Sequence, residues 1–352
     1  MMQVRSIGVL GAGTWGMALA RMLCNKGLRV RVWSALAQEI EAYSRTRRHP
    51  NLPGMEIPEA IEFTGDIAAA CEADLVLFAV PSVFLRKTAE CAAPHLRSAR
   101  VLVDVAKGLE PDSLLTMSEV IEDALSKAGV HLSVVALSGP THAEEVARDL
   151  PTTIVSACRD PQAAALVQQV FSTEAMRVYT NSDVRGVELG GALKNIIALA
   201  SGMAAGLCYG DNTRAAIITR GMAEIRRLGL CMGCQEETFS GLAGVGDLIV
   251  TCMSQHSRNN RAGFLMGQGK SAEEAKAAVG MVVEGINALT AARQLARTYD
   301  VEMPICFAVG EIVEGRVTAA EAVRRLMGRA MRDETATDGY GLTSEHDLLV
   351  GH

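Results

Sequence analysis

Two side chains stand out by their surroundings. Lys194 and Asp247 each place a full charge in a stretch that is otherwise apolar or small. Lys194 and its neighbour Asn195 follow Glu188-Leu189-Gly190-Gly191-Ala192-Leu193 and precede Ile196-Ile197-Ala198-Leu199-Ala200-Ser201-Gly202. From Leu189 onward no amphipathic stripe can be drawn, and a helix that is apolar all round is a buried helix. An ammonium taken into a dry interior costs several kcal/mol, roughly, unless it is paired or gives up its proton. Lys194 therefore either snorkels along its stem to water or is held at a ligand with a tunable pKa. Gly190-Gly191 leaves room for another backbone or a ligand to come close. Asp247, in Gly244-Val245-Gly246-Asp247-Leu248, is the same anomaly with opposite sign. A single ion pair would account for both. Farther on, Ser257-Arg258-Asn259-Asn260-Arg261 opens a helix with Ser257 as its N-cap. The free N–H groups beside Arg258 read either as a phosphate site or as a solvated basic helix end.

A second kind of chemistry is written near the N-terminus. The apolar run Val4 to Leu10 leads directly into Gly11-Ala12-Gly13-Thr14-Trp15-Gly16, and Met17 to Lys26 follows with helical spacing and Gly27 at its end. A strand, a glycine turn and a helix in that order form the context in which GxGxxG binds a dinucleotide. Gly11 permits the tight turn, Gly13 lets backbone approach a pyrophosphate, and Gly16 allows the helix to pack closely on the strand. Leu28 to Trp33 reads as the second strand, whose end discriminates between the two nicotinamide dinucleotides. An acidic residue there binds the ribose 2′-hydroxyl, and a basic one accepts a 2′-phosphate. Ser34 and Ala35 are neither. The nearby cluster Arg45, Arg47, Arg48 and His49 is either a substitute phosphate site or a solvated loop before Pro50. With no acid at the strand end, NADPH is expected to be accepted at least as well as NADH.

The elements that must position these residues alternate between strand and helix through the first half. Strands are predicted at Ile61 to Thr64, Asp74 to Val80, Arg100 to Ala106, Val134 to Leu137, Pro151 to Ala157 and Met176 to Thr180, making eight in all. Helices are predicted at Asp66 to Cys71 and from Ser113 to Gly129. Asp74 to Val80 is continuously apolar, as a strand covered on both faces must be. Pro81-Ser82, Lys107-Gly108 and Ser138-Gly139-Pro140-Thr141-His142-Ala143 each follow a strand, which puts them along the rim where open α/β sheets bind ligands. After Asn181 the strand signals stop. Helices are expected at Val184 to Leu207, Thr213 to Leu228, Phe239 to Met253, Arg258 to Gln268, Ala272 to Ala278, Glu284 to Thr298, Pro304 to Glu314 and Ala319 to Met331. The expected organisation is a doubly wound α/β dinucleotide-binding domain at 1–183, an all-helical substrate-binding domain at 184–332, and a polar, mobile tail at 333–352.

Composition narrows the class. With 352 residues, 49% of them hydrophobic and 21% charged, the chain is an ordinary globular protein long enough for two domains. A formal net charge of -6 argues against a nucleic-acid partner. No apolar run approaches the ~20 residues of a membrane span, and no secretion pattern precedes the first strand. Nine cysteines without framework spacing fit free thiols in a reducing cytoplasm. The single Cys231-to-Cys234 pair lacks further ligands, so no metal is expected.

In order along both halves, the motifs resemble those of the bacterial type of NAD(P)-dependent glycerol-3-phosphate dehydrogenase. They are Gly11 to Gly16, Val80-Pro81-Ser82, Lys107-Gly108-Leu109-Glu110, Ser138 to Thr141, Gly190 to Asn195, Gly244 to Leu248, Thr251-Cys252, Ser257-Arg258-Asn259 and Val282-Val283-Glu284-Gly285. The match runs to about Gly328. The resemblance implies NADP or NAD contacts from Thr14, Trp15, Lys107, Ala143, Arg258, Val282 and Glu284. It also implies that Lys107, Gly139, Thr141, Lys194, Asp247, Ser257, Arg258 and Asn259 surround sn-glycerol 3-phosphate, with Asn195 counted among them. The reaction implied is reversible reduction of dihydroxyacetone phosphate, which supplies the glycerol phosphate backbone of phospholipids. Lys194 would donate the proton, Asp247 would hold it, Lys107 would orient the substrate and Arg258 would grip the phosphate. Ser34-Ala35 departs from the family, where many members carry a basic residue. Two other readings compete: a related 3-hydroxyacid or 6-phosphogluconate-type dehydrogenase, and a non-catalytic dinucleotide sensor. The expected partner is the small substrate, in the cytoplasm, with a homodimer left open.

Overall fold

Leu75-Val76-Leu77-Phe78 shows how the N-terminal half is built. All four are buried, Leu75 and Leu77 in one core and Val76 and Phe78 in another, as a strand's period of two requires. The computed structural model describes residues 4–331, 333 and 334, so the tail expected to be mobile lies, past Glu334, outside the described residues. The strands are β1 (Ser6–Leu10), β2 (Arg29–Trp33), β3 (Glu62–Thr64), β4 (Leu75–Phe78), β5 (Val101–Asp104), β6 (Val134–Ser138), β7 (Thr152–Ala157) and β8 (Met176–Asn181). They form one sheet in the order β3-β2-β1-β4-β5-β6-β7-β8. Every neighbouring pair is parallel except β6 and β7.

Seven helices connect the strands: α1 (Thr14–Asn25), α2 (Ala37–Thr46), α3 (Ile67–Cys71), α4 (Ser82–Ala92), α5 (Met117–Lys127), α6 (Ala143–Val146) and α7 (Pro161–Phe171). Of the three predicted, α1, α3 and α5, the last departs from its expected start. Ser113 does not open α5; the helix starts at Met117 behind a Thr116–Glu119 capping box, and the Ser113 hydroxyl instead donates to Glu110. Glu119 accepts from Thr116 N at 3.0 Å, and Ser113 has no acid three residues on that could do the same.

The helical half comprises α8 (Val184–Gly206), α9 (Asp211–Cys231), α10 (Glu236–Ser240), α11 (Asp247–Met253), α12 (Arg258–Gly267), α13 (Ala272–Val279), α14 (Glu284–Thr298), α15 (Pro304–Val313) and α16 (Ala319–Met327). Helix α8 lies at its centre, packed by α9, α11, α12, α14 and α15, which is why its sequence shows no polar face. Its crossing with α12 is very close. A Cβ at Gly202 would lie 2.1 Å from the Asn260 carbonyl oxygen, and one at Gly263 2.1 Å from that of Leu199. The helix predicted from Phe239 to Met253 is broken. A π-turn at Leu242–Gly246 separates α10 from α11, and Asp247 begins the second piece. Three glycines, at 241, 244 and 246, weaken a regular helix there and admit the wider turn.

The antiparallel β6–β7 pair decides where α8 starts. Because β7 and β8 run against the other strands, β8 ends at the rim opposite the carboxyl ends of β1, β4, β5 and β6. The chain must therefore climb back. Ten residues of helix from Val184 rise about 15 Å, roughly one strand length, which carries Lys194 to the ligand-binding rim. Glu188 fixes the climb by accepting from Ser118 N at 2.7 Å and from Ser118 Oγ at 2.6 Å, joining α8 to α5. Among the described residues no helix is long and apolar enough to cross a membrane, and all nine cysteines are free thiols.

Candidate active site

Lys194 does not snorkel. It is buried, and its ammonium donates to Asp247 Oδ1 and, at 2.7 Å, to Thr251 Oγ1. Asp247 is fully buried, and its other oxygen accepts from Lys107 Nζ at 2.8 Å. Lys107 arrives from the loop after β5 and also donates to the Gly139 carbonyl at 2.9 Å and to Thr141 Oγ1 at 3.2 Å. One carboxylate thus joins two ammonium groups from opposite halves of the chain. Burial, helped by the Lys107 charge and opposed by Asp247, brings the Lys194 ammonium down to about 7. A lysine so placed exchanges its proton near neutral pH, which suits a general acid or base. The close approach expected at the paired glycines is present too, since a Cβ at Gly191 would sit 2.9 Å from Ser138 Oγ and 3.7 Å from Lys107 Cγ.

Asn195 and Asn259 extend the array. Asn259 Nδ2 donates to Asn195 Oδ1 at 2.8 Å and its Oδ1 accepts from Gly285 N at 2.8 Å, which ties α8, α12 and α14 together. Asn195 Nδ2 turns to the Lys107 and Gly191 carbonyls. Ser257 caps α12 as expected, accepting from Asn260 N at 3.2 Å. Arg258, in the first turn, is half-buried and makes no hydrogen bond or ion pair among the described residues. Its guanidinium is available to an anion. Arg258→Ala is expected to raise KM for a phosphorylated substrate roughly tenfold or more, since a charge-assisted bond is worth about 1.5–3 kcal/mol. Steady-state kinetics with the substrate varied checks this; unchanged KM and kcat would leave Arg258 a solvated helix end.

The glycine loop fits a dinucleotide. Gly11 has φ +122, and a Cβ there would strike the Ala79 carbonyl oxygen at 2.5 Å. At Gly13 a Cβ would meet nothing within 4 Å, so the backbone at the head of α1 lies open to an approaching pyrophosphate. Gly16 packs against the Gly11 carbonyl, and Thr14 and Trp15 are half-exposed beside it. Ala143 opens α6, which packs on α1. From the helical half, Glu284 reaches the same rim. Its carboxylate accepts from Ser82 Oγ at 2.5 Å and Ser82 N at 3.1 Å, with half-buried Val282 just before it.

The arginine cluster does not gather. Arg47 turns inward, donating to the Ile61 carbonyl at 2.8 Å, pairing with Glu59 at 3.3 Å and lying over the Phe63 ring. His49 is buried, and Arg45 is in the last turn of α2, not in a loop. Sequence reading put Ser82 on the ligand rim and Thr251 in a family motif but gave neither a partner. Thr251, on Lys194, could have been found from its i+4 spacing to Asp247 on one helix face. The pairing of Ser82 with Glu284 carries no such signal, because the two lie 202 residues apart.

Similarity to known proteins agrees with this arrangement. The family profile described as NAD-dependent glycerol-3-phosphate dehydrogenase N-terminus matches residues 6–164, and the C-terminus profile matches residues 183–324. A glycerol-3-phosphate dehydrogenase for NAD(P)+ of Lactobacillus delbrueckii subsp. bulgaricus is 65% identical over 331 residues, covering 93% of this chain and 98% of that protein. One of Agathobacter rectalis is 49% identical, covering 93% and 97%. The crystal structure of a glycerol-3-phosphate dehydrogenase from Coxiella burnetii superposes with a TM-score of 0.88 at 35% identity, covering 93% of this chain and 99% of that one. With a glycine loop open at the sheet rim, a buried Lys194–Asp247–Lys107 array and both family profiles matched, the chain belongs to the NAD-dependent glycerol-3-phosphate dehydrogenase family.

Proposed function

We propose that this chain reversibly reduces dihydroxyacetone phosphate to sn-glycerol 3-phosphate with a nicotinamide dinucleotide, supplying the backbone for phospholipid synthesis. The observation that carries the reading is the buried array in which Asp247 joins Lys194 from the helices to Lys107 from the sheet. The dinucleotide, when bound, supplies the reducing equivalent at substrate C2. Lys194 stabilises the negative charge that develops on the C2 oxygen and donates the proton, a general-acid contribution of roughly 100- to 10,000-fold. Asp247 keeps Lys194 charged and fixed. Lys107, anchored on Gly139 and Thr141, holds the substrate from the sheet side, while Asn195 and Asn259 orient the helices around it. Arg258, at the head of α12 beside Ser257, takes the phosphate. Gly11, Gly13, Thr14, Trp15, Gly16, Ala143, Val282 and Glu284 line the dinucleotide side, with 1–183 and 184–332 as the two working units in a cytoplasmic enzyme.

The test is turnover of purified chain with dihydroxyacetone phosphate or 3-oxo acids and NADH or NADPH, and with 6-phosphogluconate and NAD+ or NADP+. Dihydroxyacetone phosphate is expected to be reduced and the others ignored. Reduction of a 3-oxo acid or oxidation of 6-phosphogluconate would favour the related dehydrogenases, and bound dinucleotide without turnover would favour a sensor. Light scattering of the same sample checks whether the homodimer left open by the sequence forms.

A further inference from the structure

The acid that the end of β2 lacks in sequence is delivered there by the next helix. Ser34, directly after β2, is buried, and its hydroxyl donates to the Glu39 carboxylate at 2.5 Å. The same oxygen accepts from Leu36 N at 3.1 Å, so the hydroxyl is fixed in direction. Glu39 stands in the first turn of α2 and is half-buried. This corner lies against the dinucleotide loop. Gly11 N donates to the Trp33 carbonyl at 3.0 Å, and the buried His49 imidazole meets the Ala12 backbone while feeling the Glu39 charge. Oε2 of Glu39 is bonded to Ser34, and Oε1 has no hydrogen-bond partner among the described residues. No guanidinium neutralises it: Arg47 is held by Ile61 and Glu59, and neither Arg45 nor Arg48 pairs with Glu39 among the described residues.

We propose that Glu39 reads the adenosine ribose, accepting its 2′-hydroxyl and making this chain selective for NAD(H) over NADP(H). The proposal rests on the dinucleotide site described above and deepens it. A hydroxyl is a donor that a carboxylate accepts, so the 2′-hydroxyl completes the free oxygen. A 2′-phosphate in the same place would bring roughly two negative charges against a third. This inverts the preference expected from sequence, where only Ser34 and Ala35 at the strand end were weighed.

Direct binding tests it. The chain's two tryptophans, Trp15 and Trp33, both flank the loop, so their fluorescence reports titration of the free enzyme with NADH or NADPH. Wild-type protein is expected to bind NADH roughly tenfold or more tightly than NADPH, the worth of one hydrogen bond to a charged group. Glu39→Gln, close in shape and expected to fold, should weaken NADH by a similar factor and leave NADPH unchanged or tighter. Glu39→Asp, which keeps the charge, should retain the direction of the preference. Arg45→Ala with Arg48→Ala should not weaken NADPH relative to NADH. Wild-type preference for NADPH, equal affinities, or equal weakening of both dinucleotides in Glu39→Gln would overturn the assignment and leave Glu39 a helix-start acid. Failure of either dinucleotide to bind wild-type protein would remove the functional reading together with it.

Discussion

Lys194→Met is expected to lower kcat by roughly 1,000-fold or more. Methionine keeps the approximate volume and apolar character of the stem and removes only the ammonium. In a buried position held by Asp247 and Thr251, that ammonium is not solvated and does no packing of its own. A lysine serving the fold alone would lose stability by the change but not turnover in the folded protein. A proton donor would lose both the proton and the charge facing the developing alkoxide. Dinucleotide affinity should hardly move, because the glycine loop belongs to the sheet. Separate measurement of kcat and of dinucleotide Kd distinguishes the two roles, and near-normal turnover by a folded Lys194→Met protein would sink the mechanism.

Asp247→Asn is the second large effect, with kcat expected to fall roughly 100-fold or more at neutral pH. The substitution preserves shape but leaves two ammonium groups, Lys107 and Lys194, facing a neutral amide in a buried site. Removing one partner of a buried pair costs about 3–5 kcal/mol, so a lower Tm should accompany the loss. The pH dependence carries a sign. Lys194 must be protonated to act as an acid, and burial already brings it down to about 7. Reduction should therefore slow as pH rises through that region. Asp247 is the group that holds the proton on, so Asp247→Asn should move the decline to lower pH. In the Lys194→Met background the same change should add little to the kinetic loss, because the two residues act as one unit. Additive losses, or a decline that stays where it was, would separate Asp247 from Lys194.

Much of the site was legible along the chain. The glycine loop could be read because its requirements are local: a positive φ at Gly11 and close packing at Gly16 are properties of one turn. Lys194 and Asp247 were visible as charges in apolar stretches, and burial leaves that contrast in the sequence. Apart from the one broken at Leu242–Gly246, the helices of the second half were placed within a few residues, with α14 running from Glu284 to Thr298 as predicted.

What could not be read depends on which elements become neighbours. Lys107 meets Asp247 across 140 residues, and no periodicity in either segment encodes the meeting. The direction of β7 sets the rim from which α8 rises, yet strand residues look alike whether they run up or down. Arg47 appeared free for a phosphate, but the carbonyls of Pro58 and Ile61 and the Phe63 ring claim it once α2 packs on β3. Glu39 carries no signal of its own in the sequence. Only the fold of α2 back onto the end of β2 turns its carboxylate toward Ser34 and the dinucleotide loop. Local pattern reports what a residue's own segment tolerates, whereas the partners of a charge are chosen by packing between segments.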